Sequence, residues 1–234
     1  DTNTMGTAES KAFQEEPVGT GTLTGKLGKC IDPSTVSKAP MTLKFSKAGI
    51  MNKETGDMLF TLTSKLWFNK LTMTCKDASG NVLCVFVGKA GMTSASGTVM
   101  RTKESFDKQP AATDAPDGLT LYPFATIVVN KGFTSNTTAS YSLIKSDAEG
   151  DPTLVPLYNI TKISAMQLML KFENQANTLV AKAAQTSGFN PDSVEAQVGQ
   201  GVDILAVGVL TGVVGAAAGS GGAAVGGLAG AGAI

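Results

Sequence analysis

The chain has 234 residues, of which 42% are hydrophobic and only 16% charged, so a sizeable core can be buried and wholesale disorder is excluded. Lysine plus arginine (19) cancels aspartate plus glutamate (19), which leaves no bulk field for gripping nucleic acid through its phosphates. Histidine is absent, and with it go Ser-His-Asp and Cys-His nucleophile systems, histidine metal sites and the ordinary pH switch.

Residues 1–40 read as an N-terminal arm with a first strand region, residues 1–22 being polar and rich in Thr, Gly and Glu. The sequence opens on Asp1 rather than methionine. We expect a leader to have been removed and the destination to be an organelle, with the cytoplasm or the membrane periphery as the alternatives.

Residues 41–110 form a first β half. Short apolar or β-branched runs at 58–63, 71–75 and 82–87 predict strands, divided by turn chemistry at Glu54-Thr55-Gly56-Asp57 and Ser79-Gly80-Asn81. The second turn sets Cys75 opposite Cys84. A cross-strand disulfide is one reading, and buried thiols acting as small hydrophobes are the preferred one, since the three cysteines (Cys30, Cys75, Cys84) form no CxxC and no framework. Trp67-Phe68, at a bend between strands, reads as an aromatic plug rather than an exposed contact.

The sequence breaks at 104–120, with two prolines and an Asp-Gly, and residues 111–122 read as a linker. Residues 123–199 form a second β half, with strands expected at 125–129, 140–144, 154–158, 167–172 and 179–181. Sequons at Asn136 and Asn159 carry little weight. Gly56 and Gly80 lie 24 residues apart, and turns at 149–151 and 175–177 nearly repeat that spacing, which suggests a duplicated β-meander. Residues 1–110 hold 14 basic and 10 acidic groups, whereas 111–234 hold 5 and 9. Either this is scatter over a solvated surface, or it marks complementary faces that favour head-to-tail contact.

After Asp203 come 31 residues without a charge. The segment 200–218 reads as a hydrophobic helix, apolar all round over 204–214. A transmembrane anchor would suit Gly208-x-x-x-Gly212, but the strongly apolar stretch 202–214 falls short of the roughly 20 residues a bilayer needs. A surface helix would need a polar face. The preferred reading is a helix buried inside a β-barrel, with Val202, Leu205, Gly208, Val209 and Gly212 in its core. The Gly/Ala-rich tail, 219–234, is expected to order only against a neighbouring chain, which makes Ser220, Val225, Leu228 and Ile234 the expected assembly contacts.

The stretch 56–73, from Gly56-Asp57-Met58-Leu59 through Lys65-Leu66-Trp67-Phe68, with the following turn Asp77-Ala78-Ser79-Gly80, resembles the LURP-one-related family. So does Val194-Glu195-Ala196-Gln197-Val198 running through Gly201-Val202-Asp203 into an apolar helix. The resemblance spans roughly residues 41–218 and implies a mainly β, tubby-like fold, an antiparallel barrel of about twelve strands made of two similar meander halves around the C-terminal hydrophobic helix. Related tubby domains bind phosphoinositide headgroups through clustered Lys and Arg, and the phospholipid scramblases are also relatives. Here the candidate basic patch is Lys65, Lys70 and Lys76, and Arg101 is the one arginine. A looser likeness, to the shell proteins that coat diatom pyrenoids, implies a location in the chloroplast stroma or pyrenoid.

No catalytic motif stands in its required context. No GxGxxG follows a strand, no P-loop lysine accompanies the glycines after Gly208, and a serine nucleophile would lack a histidine base. We therefore expect no enzyme, no cofactor and no metal. The expected function is a structural protein that assembles with copies of itself into a lattice or shell, the alternative being a peripheral membrane module binding anionic phospholipid. No nucleic acid partner is expected.

Overall fold

The computed structural model describes residues 8–23, 29–46, 48–90, 94–116, 118–131, 137–146, 152–164, 167–186 and 194–217, without the side chains of 8–10, 66, 67 and 90. Among these residues the chain runs through α1 (Ala8–Glu15), a 3-10 turn (Pro33–Thr35), twelve strands and α2 (Ile204–Ala217). The strands are β1 (Met41–Ser46), β2 (Gly49–Asn52), β3 (Met58–Trp67), β4 (Lys70–Lys76), β5 (Val82–Ala90), β6 (Ser94–Arg101), β7 (Tyr122–Asn130), β8 (Thr138–Ser146), β9 (Pro152–Lys162), β10 (Met169–Asn174), β11 (Leu179–Gln185) and β12 (Val194–Val198). Each pairs antiparallel with its chain neighbours. β1 then pairs with β12, Met41 opposite Val198 and Lys44 opposite Glu195, to close one barrel.

The period of two builds the wall. In β4 the side chains of Leu71, Met73 and Cys75 are buried while Lys70 is exposed, because alternate residues of a strand face opposite sides. Gly56 and Gly80 sit at φ of 77° and 86°, a left-handed backbone that side chains resist, which is why glycine turns the chain at those points. Asp77 completes its turn by accepting from the Ser79 and Asn81 N–H groups at 2.9 and 2.8 Å. The turn expected at 149–151 lies outside the described residues.

β1, β2, β6 and β12 were not among the runs read as strands. Their residues are small, polar or few, and pairing on both sides rather than intrinsic propensity makes them extended. The arm differs too. Its described residues contain α1 and the 3-10 turn but no strand, and the first strand begins at Met41. Ala8–Glu15 is built of good helix formers, and Phe13 anchors it at 3% exposure. The linker region belongs to the long loop 102–121, which joins β6 to β7. Those two strands pair from Ser94 with Asn130 to Arg101 with Tyr122, so both halves share one wall.

α2 fills the lumen. Val202, Leu205, Gly208, Val209 and Gly212 are all buried, as are the other residues of the helix except Ala216. A helix apolar on every side has no face for water, and a barrel this wide needs something to occupy its centre. Gly208 and Gly212 provide the clearance. A Cβ at Gly208 would meet Ile50 Cδ1 at 2.3 Å, and one at Gly212 would meet Met73 Cε at 2.6 Å. At fourteen residues α2 is too short to span a bilayer, and among the described residues no helix is long and apolar enough to do so.

The barrel has two distinct ends. Odd-numbered strands run from the end where α2 begins, here the cap end, to the end carrying the β3–β4 turn, here the hairpin end. α1 lies outside the wall. Lys182 Nζ donates to the Phe13 and Gln14 carbonyls at 2.7 and 2.8 Å, and to that of Glu16, satisfying the carbonyls of the helix's final turn.

Candidate functional site

A buried polar cluster closes the cap end. Asp203, 1% exposed, is the N-cap of α2: its Oδ1 accepts from the Leu205 and Ala206 N–H groups at 3.1 and 3.2 Å. The same oxygen accepts from Thr35 Oγ1 at 2.7 Å, and Oδ2 accepts from the Ile31 N–H at 2.7 Å. Burial raises the Asp203 carboxyl above the usual carboxylate range against the pull of these donors. Arg101, also 1% exposed, stacks 4.2 Å over Phe124. Its guanidinium donates to the carbonyls of Cys30, Lys103 and Glu104 at 2.7, 3.1 and 3.2 Å, and to Ser105 Oγ at 3.3 Å. The one arginine therefore ties the 30–31 and 103–105 loops together and presents no fork to a phosphate.

Such groups in an open cleft would suggest catalysis. Here Asp203 is saturated by four donors and Arg101 by its own loops. Burial also pushes the Tyr141 phenol well up and the Cys30 thiol up to about 12, so neither is poised to act as a base or nucleophile. All three cysteines are buried free thiols. Cys75 faces Cys84 across β4 and β5, and their mutual hydrogen bond together with burial raises Cys84. Among the described residues no group of three or more Cys, Asp or Glu is placed to hold a metal.

The hairpin end carries the basic patch. Lys65 pairs with Thr72 and Lys70 with Trp67, which makes the two lysines diagonal neighbours, and Lys89 lies directly opposite Lys70. All three are exposed. Lys76 does not join them. It lies six residues along β4, about 20 Å away, near the cap end. Lys89 was missed although counting back from the Cys75–Cys84 pair sets it opposite Lys70.

Phe68 corrects the expected plug: it is 88% exposed. It takes the first place of a two-residue turn at φ 53°, a left-handed conformation that a bulky side chain adopts at a cost and that throws the ring outward. The side chain of Trp67 lies outside the described residues. Strained backbone beneath an exposed aromatic is a mark of interaction surfaces.

At the opposite end β7 pairs with β8 only as far as Leu143, although β7 itself begins at Tyr122, and β10 pairs with β9 only from Tyr158. Residues 144–146 and 152–154 pair only with each other there, as a two-stranded arm. Along 152–156 both strand faces are exposed, Leu154 at 59% and Val155 at 37%. Pro152 and Pro156 remove N–H groups from the free edge, which discourages strand addition there.

Among the described residues the connections at the cap end (53–57, 77–81, 102–116, 118–121 and 175–178) contain six acidic and three basic residues, and Lys29, Lys38, Lys76 and Lys145 lie at the same end. The hairpin end carries Lys65, Lys70 and Lys89. A groove of about 510 Å³ between α1 and the outer wall has a mixed lining, and its lysines are engaged, Lys53 with Glu195 at 2.8 Å and Lys182 with α1. The expected tail contacts Ser220, Val225, Leu228 and Ile234 lie outside the described residues, as does Asn136. Asn159 is exposed on β9.

These features define a closed up-and-down β-barrel threaded by its own helix. No protein-family model matches the sequence, and no curated protein matches it. The chain is similar to the X-ray structure of a protein from Arabidopsis thaliana, at 17% identity over 80% of this chain and 95% of that one, with a TM-score of 0.47.

Proposed function

We propose that this chain is a non-enzymatic structural protein of tubby-like class that assembles with copies of itself into an extended lattice or shell. The observation that carries the reading is the opposition of the two barrel ends. One bears exposed Leu154 and Val155 on the β8–β9 arm, and the other bears exposed Phe68 beside Lys65, Lys70 and Lys89. A subunit whose two ends complement each other makes heterologous contacts, which propagate instead of closing a two-fold dimer. The zero net charge removes the self-repulsion that keeps many proteins apart. The buried ionisable groups are used up in holding loops, which supports the non-enzymatic part of the proposal. Negative-stain electron microscopy of the purified chain over a range of protein and salt concentrations is the test. Regular filaments, sheets or tubes at low salt are expected, and single barrels under every condition sink the reading.

A second reading has its own observation. Phe68 beside Lys65, Lys70 and Lys89 is the combination by which peripheral proteins meet an anionic bilayer, an aromatic at the interface and cations over the headgroups. Wild-type protein is then expected to co-sediment with vesicles containing anionic phospholipid, and failure to do so ends this alternative.

A further inference from the structure

The N-terminal arm is attached to the barrel in two different ways. Residues 19–23 are fixed through the backbone: the Gly19 N–H donates to the Leu179 carbonyl at 2.7 Å, that of Gly21 to Gln200 at 2.7 Å and that of Leu23 to Gly201 at 3.0 Å. The two main chains touch there, since a Cβ at Gly21 would meet the Gly201 oxygen at 2.4 Å. Across 8–18, among the described residues, no backbone-to-backbone hydrogen bond reaches the wall, and α1 is held through side chains. We infer that α1 is a clasp that opens as a unit while the barrel stays folded, hinged at Pro17–Val18 and latched by Lys182, and that its opening uncovers the Lys171–Lys182 pair on the outer wall. The device does not depend on assembly.

Three observations converge. Lys171 and Lys182 stand directly opposite each other on β10 and β11, a like-charge pair that destabilises the bare wall. The arm neutralises both. Glu16 pairs with Lys171 Nζ at 2.5 Å, and the three protons of the Lys182 ammonium go to the carbonyls of Phe13, Gln14 and Glu16, at the negative end of the helix dipole. Second, α1 buries little of itself in docking. Lys11, Ala12, Gln14 and Glu15 are exposed, and Phe13, whose ring lies 5.5 Å from Lys182 Nζ, is the one buried side chain among residues 11–16. A segment with so few buried contacts belongs to the low-stability end of a protein's local openings. Third, the departure of α1 removes no rung from the closed barrel, in which every strand already has two neighbours. Eight residues are too few to persist as a helix alone in water, so release unwinds α1 and strips its amides of protection. Whether the basic pair is available on the surface is therefore decided by α1.

The test is hydrogen–deuterium exchange of the full-length chain, read by mass spectrometry, on wild type, Lys182→Met, Phe13→Ala and a control, Lys70→Met, which removes one lysine of the opposed pair at the hairpin end. Wild-type peptides covering 11–16 should exchange faster than those from β4 and β10. Lys182→Met should speed exchange of 11–16 by about tenfold, the weight of one charge-assisted hydrogen bond, while β4, β10 and the melting temperature of the barrel stay as in wild type. Lys70→Met should leave 11–16 unchanged. Phe13→Ala retains the Lys182 amine, so acetylation of Lys182 by an amine-reactive ester, slow while α1 covers it, should rise by a similar factor. Exchange of 11–16 that tracks the barrel in wild type overturns the clasp before any variant is made. So does a Lys182→Met that fails to fold or that speeds α1 and the barrel together, since Lys182 is then part of the barrel's own stability. Unchanged exchange of 11–16 in Lys182→Met removes the latch, and unchanged acetylation of Lys182 in Phe13→Ala shows that opening does not uncover the pair.

Discussion

At Asp203 a single carboxylate accepts hydrogen bonds from two helix N–H groups, a threonine hydroxyl and the Ile31 backbone, joining α2 to the 30–35 segment inside the barrel. Replacing it with alanine removes an N-cap and strands buried donors, and should destabilise the fold by about 3 kcal/mol in urea denaturation. The pH behaviour has a definite sign. Burial raises the folded value above the usual 3.8, so the folded protein takes up the proton more readily than the unfolded chain. The contribution of Asp203 is thus least favourable above its raised folded value and improves as pH falls from there toward 3.8. Melting temperatures of wild type and Asp203→Asn across that range should show wild type gaining on the variant with acidification. A wild type that loses ground would refute the assignment.

At the scale of elements, α2 is a helix fitted to a wall. Its glycines meet the ends of flexible side chains, Ile50 Cδ1 and Met73 Cε, which can move by tenths of an ångström but not by a whole side chain. Gly212→Ala therefore sets a helix-propensity gain of about 1 kcal/mol against a comparable overpacking cost, and should be near neutral. Gly212→Leu has no such compensation and should cost about 3 kcal/mol or prevent folding. Equilibrium unfolding of the pair distinguishes a filled lumen from a loose one, because a loose lumen would tolerate both. The β8–β9 arm arises where the ladders to β7 and β10 stop, β10 being shorter than β9, and residues 152–156 are left exposed on both faces.

Over the whole molecule, the basic excess of residues 1–110 and the acidic excess of 111–234 do not stay on opposite sides, because every strand returns the chain to the other end of the barrel. If charge steers association, the midpoint concentration for assembly should rise at least tenfold between 0.1 and 1 M salt, as the screening length falls from about 10 to about 3 Å. The barrel's melting temperature, set by a buried apolar core, should change little over the same range. Light scattering and thermal melts on the same samples check both, and assembly insensitive to salt would remove charge from the mechanism.

Much of the architecture could be read directly from residue order. Eight of the strands lie where β-branched and apolar runs fall between turn residues, and a helix apolar all round after so many strands has one place to go. Even the opposition of Cys75 and Cys84 was readable, and counting outward from it places Lys70 opposite Lys89. Composition could not say which way Phe68 points, whether Arg101 meets ligand or loop, or whether Lys76 sits beside Lys65. Local sequence sets the period of two and the turns. Which residues become neighbours depends on register across several strands, on bulges such as those after Ile50, Cys75 and Val99, and on where the ladders beside β8 and β9 stop. Those are properties of the closed barrel, since each strand's offset is settled only when β1 finds β12.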